Sequence, residues 1–195
     1  MNHQSKIACL VLAAGLSRRF GADDKLLAEI EGRAVIDLSL AAYQSAAIDQ
    51  RIAVVPPDSP LNEHCTAAGF ETCTNPQPER GMGHSIACGM AALRGTDISH
   101  VLIGLADMPK LKAATVEQIC RASGQADSIA LPLYKTQHGH PRLFAAQHFA
   151  QLAALDGPNG ARDIIAACPD IYDVAVDDAG TGVDIDTPED LAELS

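Results

Sequence analysis

No apolar run in this sequence approaches the roughly 20 residues that a membrane-crossing helix needs, which argues against an integral membrane protein. The first residues, Met-Asn-His-Gln-Ser-Lys, lead straight into a short strand-like stretch. They lack the longer apolar region and small-residue cleavage site of a secretory signal, so a cytoplasmic location is expected. None of the six cysteines, at 9, 65, 73, 88, 120 and 168, forms a C-x-x-C pair. Several sit in apolar stretches, as Cys9 does in Ile-Ala-Cys-Leu-Val, which favours buried free thiols over zinc sites or disulfides. Basic residues are scarce: 14 Lys and Arg against 25 Asp and Glu leave a net charge of −11, and none follows Asp163. An acidic chain repels polyanions, so general nucleic-acid binding is not expected.

What is present is an ordinary globular composition, 47% hydrophobic over 195 residues, enough for one substantial core and one domain spanning 1–195. Apolar runs predict strands over 7–12, 51–55, 70–74, 100–105, 128–134 and 172–176, with a further strand entered from a loop over 137–144. Helical spacing predicts helices over 35–47, 61–68, 85–94, 113–122, 145–154 and 161–167, and one from 187 onward. Strands alternating with helices imply an α/β domain with a mostly parallel sheet covered on both faces. Ligands of such sheets bind beyond the carboxyl ends of the strands.

Four segments carry the candidate chemistry. Leu12-Ala-Ala-Gly-Leu-Ser-Arg-Arg-Phe-Gly follows the first strand, and its small residues allow close approach to a ligand. Arg19 and Lys25 add positive charge there, although an ordinary glycine-bearing turn with solvated basic residues would look similar. The spacing is neither a Walker A loop nor a G-x-G-x-x-G fingerprint. Asp107, in Leu-Ala-Asp-Met-Pro, follows a predicted strand and suits Mg²⁺, a hard cation; a helix cap is the alternative. Asp184-Ile-Asp186-Thr-Pro-Glu-Asp reads as a helix start, but capping does not explain Asp184 and Asp186 on one side of an extended segment. Finally, Gly81-Met-Gly-His-Ser85 leads into a helix whose N-terminus favours anionic ligands. Its near match to a G-x-S-x-G hydrolase elbow fails on the last glycine and on the strand that should precede it.

Together, LAAGLSRRFG…KLL, NPQPERGMGHSIACG, LADMP, GHPRLF, GPNGARDII and DIDTPEDLA, in that order from residue 12 to residue 192, resemble the nucleotidyltransferases of molybdenum-cofactor maturation. The cytidylyltransferase branch is the closer likeness, on LAAG and GMGHSI. The resemblance implies a Rossmann-like nucleotidyltransferase domain with a small antiparallel element, and Mg²⁺ as cofactor. It implies nucleotide binding by Leu12, Ala13, Ala14, Gly15, Ser17, Arg19, Lys25, Gly83 and Ser85, with Lys25, Arg19 and Asp107 in catalysis. Asp107 and Asp186 would hold the metal, and His140, Pro141 and Arg162 would face the acceptor.

The implied reaction joins CMP from CTP to a phosphorylated acceptor, molybdopterin, and releases pyrophosphate; a molybdoenzyme would receive the product. The alternatives are a related enzyme using GTP or a sugar-phosphate acceptor, and a non-catalytic nucleotide-binding chaperone for a molybdoenzyme. Neither nucleic acid nor membrane is an expected partner.

Overall fold

The apolar run Ile7–Leu12 forms strand β1, and its neighbours explain why it lacks polar alternation. It pairs in parallel on one side with β4 (Gln50–Val55) and on the other with β6 (His100–Leu105). Both of its faces are therefore covered, as buried parallel strands require. Ile7, Cys9 and Val11 point into one core, and Ala8 and Leu10 into the other. The computed structural model describes residues 5–17, 20, 24–125 and 128–194.

Among these residues, β1 is followed by a hairpin of β2 (Glu29–Ile30) and β3 (Arg33–Ala34), then α1 (Val35–Ala41), β4, α2 (Leu61–Ala67) and β5 (Glu71–Thr74). A short 3₁₀ turn at Pro78–Arg80 leads to α3 (Met82–Ala92), β6, α4 (Ala113–Arg121) and β7 (Ile129–Tyr134). The chain ends with β8 (Gln137–His138), β9 (Arg142–Ala145), α5 (Phe149–Ala153), α6 (Arg162–Ala167), β10 (Ile171–Ala175) and α7 (Pro188–Leu194). The main sheet runs β10-β7-β9-β6-β1-β4-β5, with β8 paired to β7. Only β8 and β9 run against the others in it. The cause is chain length: a parallel return needs a crossover of about a dozen residues, and only a hairpin joins β7 to β9. The expected mostly parallel sheet with a small antiparallel element is the fold observed.

Side chains of α1, α2 and α4, including Ile36, Leu40, Leu61 and Ile119, cover one face. Ile86 and Met90 of α3 and Leu152 of α5 cover the other. Fully burying each such side chain stabilises by ~1.5–3 kcal/mol. Gly104 is required within β6, because a Cβ there would overlap the hydroxyl of the fully buried Tyr43.

The structure departs from the sequence pattern in four places. The first helix stops at Ala41 rather than at 47, because Arg51 bonds the carbonyls of Tyr43 (2.9 Å) and Ser45 (2.8 Å) that a longer helix would use. The stretch 145–154 divides into the end of β9, a 3₁₀ turn and the short α5. Helix α3 begins at Met82, three residues before Ser85, and the β2–β3 hairpin was not anticipated. The cysteines are free; Cys9, Cys65 and Cys120 are buried, whereas Cys73, Cys88 and Cys168 are only half-buried. Among the described residues no helix is long and apolar enough to cross a membrane.

Candidate active site

Because β1 is central, the chain leaving it emerges at the carboxyl edge of the sheet between the ends of β4 and β6. Ala13 N–H continues the ladder by donating to the Val54 carbonyl at 2.8 Å, and the backbone then turns away over Ala14–Ser17. A Cβ on Gly15 would meet nothing within 4 Å, so the loop faces open space. Ser17 takes a left-handed conformation at φ 44°, and Asp24 Oδ1 accepts from the Leu26 N–H at 3.0 Å to bring the chain back. Leu12 to Ser17, with Lys25, Ser85, Asp107, Asp184 and Asp186, line a cleft of about 500 Å³. The cleft thus gathers nine residues assigned from sequence: Leu12, Ala13, Ala14, Gly15, Ser17, Lys25, Ser85, Asp107 and Asp186. Arg19 lies outside the described residues.

The opposite wall is the start of α3, and a second turn holds it in place. Gly83 N–H donates to the Gly157 carbonyl at 2.8 Å, and a Cβ on Gly83 would sit 2.7 Å from the Asp156 carbonyl oxygen. On the other strand of this contact, a Cβ on Gly160 would meet Met82 Sδ at 2.7 Å. Arg80 grips Asp156 with Nε at 3.1 Å and Nη2 at 2.8 Å. Two glycine-bearing sequence segments, around 81–83 and 157–160, are therefore one interface, and Pro158 reaches the cleft through it. Gly83 does its work here rather than in the cleft lining. Ser85 Oγ accepts from Asn75 Nδ2 at 3.0 Å and lies under the helix start. At 4% exposure, and without a strand leading to it, Ser85 is not a displayed nucleophile.

At the floor of the cleft, Lys25 Nζ lies 2.6 Å from Asp107 Oδ2, 2.7 Å from the Ile185 carbonyl and 3.1 Å from Asp186 Oδ1. Asp107, Asp184 and Asp186 each bring a carboxylate oxygen within 4.8 Å of the others. β6 delivers Asp107, and the Ile185 N–H donates to the Asp107 carbonyl at 3.0 Å, drawing the 184–186 segment alongside. Burial raises the Asp107 carboxyl, Lys25 pulls it back down, and Asp184 adds to the rise. Burial works to lower Lys25, but Asp107 and Asp186 outweigh it and hold the ammonium above its usual range. Three carboxylates against one ammonium leave excess negative charge, and buried Asp107 Oδ1 has no hydrogen-bond partner. A set of hard oxygen donors with one unspent buried lone pair suits a divalent cation such as Mg²⁺. Asp184 had been noted beside Asp186 but not assigned to the metal; the i, i+2 carboxylates in an extended segment were the available signal.

The acceptor-side residues lie away from the cleft lining. His140 N–H donates to the Thr181 carbonyl at 2.8 Å, and Pro141 is buried. Burial and the nearby Arg142 charge push the His140 ring down to about 3, so it is neutral at ordinary pH. Arg162 opens α6 and is exposed. Arg142, in the GHPRLF motif, is half-buried; burial and the Arg162 charge lower its guanidinium.

A mostly parallel sheet with helices on both faces and a small antiparallel element is a fold shared with solved nucleotidyltransferases. A model of the MobA-like NTP transferase domain matches residues 9–171, and the chain belongs to that family. It is similar to Rv0371c from Mycobacterium tuberculosis H37Rv, with a TM-score of 0.83 and 26% identity over 97% of both chains. Among curated relatives, molybdenum cofactor cytidylyltransferase of Escherichia coli is 28% identical over 190 residues, 96% of this chain and 94% of that one. Nicotine blue oxidoreductase of Paenarthrobacter nicotinovorans is 26% identical over 95% of this chain and 94% of its own. The bifunctional protein GlmU of Pelobacter propionicus is 30% identical over 142 residues, 70% of this chain but only 31% of GlmU.

Proposed function

We propose that this chain is a molybdenum cofactor cytidylyltransferase, acting as one cytoplasmic domain over residues 1–195. The observation that carries the reading is the meeting of Asp107, Asp184 and Asp186 within 4.8 Å, in a cleft walled by the Leu12–Ser17 loop and the start of α3. The full-length likeness to the E. coli cytidylyltransferase supports the choice of CTP and molybdopterin.

The terminal phosphate oxygen of the acceptor attacks the α-phosphorus of CTP in line. A new P–O–P bond joins CMP to the acceptor as the bond to the leaving pyrophosphate breaks. Such transfers need positioning and charge neutralisation more than covalent side-chain chemistry. The loop backbone from Ala13 to Ser17 approaches the triphosphate closely, and Ser85 and the α3 start close the other side. Lys25 holds Asp107 and Asp186 together and, with Arg19, offsets phosphate charge. Mg²⁺ on Asp107, Asp186 and Asp184 would supply Lewis-acid stabilisation of the phosphate oxygens. The acceptor phosphate is already largely ionised near neutral pH, so no general base is needed.

Pyrophosphate release from each of the four nucleoside triphosphates, with purified molybdopterin as acceptor, tests the reading. CTP is expected to be used best, because a pocket that hydrogen-bonds one base edge leaves buried groups unpaired with another. Equal or better use of GTP would remove the cytidylyl assignment. The GlmU likeness favours a sugar 1-phosphate acceptor as the second reading, and release with that acceptor alone would select it. Nucleotide binding without any release would identify a non-catalytic module.

A further inference from the structure

Two loop segments carry the acidic cluster, and only one of them leaves the sheet directly. Asp107 follows β6, whereas Asp184 and Asp186 lie well beyond the end of β10 at Ala175 and before α7, which has no fully buried residue. The later segment is instead laced to the chain after Asp107. Ile185 N–H donates to the Asp107 carbonyl at 3.0 Å, and Asp178 reaches the Lys112 N–H. Between these ties Gly180 packs so closely on Lys110 that a Cβ there would overlap its carbonyl oxygen. Partners fall in number along one segment as they rise along the other, so the two run antiparallel.

Asp178 is only 1% exposed, and among the described residues no lysine, arginine or histidine forms an ion pair with it. Its carboxylate accepts three hydrogens from neutral groups instead. Oδ2 takes the Lys112 N–H at 2.9 Å and the Thr115 hydroxyl at 2.7 Å, and Oδ1 takes the Gly180 N–H at 2.9 Å. Hydrogen bonds to an ionised acceptor are stronger than those between neutral groups, and a buried charge needs them in place of water. One side chain thus clamps the start of α4 to the turn that leads to Asp184, without itself lining the cleft.

We propose that Asp178 is a positioning residue for the divalent-cation site. By fixing the register of the segment 178–186 against 107–112, it sets where Asp184 and Asp186 stand relative to Asp107. The proposal rests on the reading of the three acids as that site. Mg²⁺ demands near-ideal octahedral geometry, so a small slip of the segment that carries two of its ligands costs affinity. Asparagine cannot reproduce the clamp, because its amide nitrogen is a donor and would face another donor.

Mn²⁺ binding by the intact chain tests it, read by electron paramagnetic resonance at a temperature where circular dichroism shows each variant folded. Asp178→Asn is expected to weaken Mn²⁺ about tenfold or more, as loss of a group that orients metal ligands does. Thr115→Val keeps the volume but removes one donor and should weaken it several-fold; Thr115→Ser keeps the hydroxyl and should stay within about twofold. Leu152→Ala, in the core on the other face, should lower the melting temperature and leave Mn²⁺ affinity unmoved. In turnover, Asp178→Asn should need more Mg²⁺ for its half-maximal rate, and excess Mg²⁺ should restore that rate. A folded Asp178→Asn whose Mn²⁺ affinity matches the parent's overturns the proposal. Where that variant does not fold, the same result in Thr115→Val overturns it. Equal weakening by Leu152→Ala also overturns it, by reducing Asp178 to a source of general stability. A parent chain that binds no Mn²⁺ overturns the cation site on which the proposal rests, whereas normal binding by the parent confines any failure to Asp178.

Discussion

Lys25 Nζ sits 2.6 Å from Asp107 Oδ2, although 82 positions separate the two residues, and it also contacts Asp186 and the Ile185 carbonyl. An ammonium has three N–H donors, and all three are engaged by these partners. The sequence suggested a basic residue following a glycine-bearing turn; at 8% exposure, bridging two half-buried acids, Lys25 is structural as well. Lys25→Met should therefore destabilise by about 3–5 kcal/mol, the usual cost of leaving one partner of a buried pair uncompensated. Added Mg²⁺ should recover part of that loss, and turnover should fall ~10²–10³-fold. Urea unfolding with and without Mg²⁺ reads the first two effects. Unaltered stability would mean that the lysine is merely solvated.

The acidic cluster predicts a graded response to substitution. Asp107→Asn should nearly abolish both Mn²⁺ binding, measured by electron paramagnetic resonance, and turnover. Asp186→Asn should be milder, because an amide oxygen still coordinates, and the double variant should add little to Asp107→Asn alone if the two act as a unit. Asp184→Asn should also weaken Mn²⁺, a consequence of its place within 4.8 Å of the other two. Chelation should stop turnover and excess Mg²⁺ restore it. Full activity in chelator would dispose of the metal role.

How much of this was legible beforehand depends on the range of the interaction involved. β1 and β6 were readable because buried parallel strands are continuous apolar runs, and the loop and Asp107 directly follow them. Asp107 was legible from its place just past β6, whereas Asp186 lies in the segment between β10 and α7 and was paired with it through the family resemblance. Asp184 joined them only once the Ile185 N–H was seen bonded to the Asp107 carbonyl. The docking of Gly83 on Gly157 left no local trace, since each glycine alone reads as a turn.

Gly83 and Gly15 make a matched test of what each glycine is for. A Cβ on Gly83 would lie 2.7 Å from a backbone oxygen of Asp156, which cannot swing aside as a side-chain tip would. Gly83→Ala should thus cost about 1–3 kcal/mol through overpacking. It should also lower turnover by shifting the α3 wall. Gly15→Ala meets nothing within 4 Å, so its stability should be nearly native while nucleotide affinity falls because the added methyl projects toward the cleft. Thermal melts combined with CTP titrations separate the two behaviours. The reverse pattern would contradict the assignment of Gly83 to the α3 interface.

His140 gives a prediction in pH. Its ring is held neutral in the folded chain, with a pKa pushed from 6.5 down to about 3 by burial and then by Arg142. The unfolded chain therefore binds a proton between those values that the folded chain does not, and stability must fall as pH drops through that interval. The contribution is complete above about 6.5, declines below it, and is exhausted near 3; its slope is at most about 1.4 kcal/mol per pH unit. His140→Gln removes the titrating group while leaving the backbone bond to Thr181 in place. Urea unfolding of the two proteins from pH 7 to pH 4 should show the parent losing stability more steeply than the variant. The His140 ring proton resonances should stay unmoved from pH 8 to pH 5. A ring that titrates near 6.5 would place His140 in water and free it to carry charge, against its burial behind the Thr181 carbonyl contact.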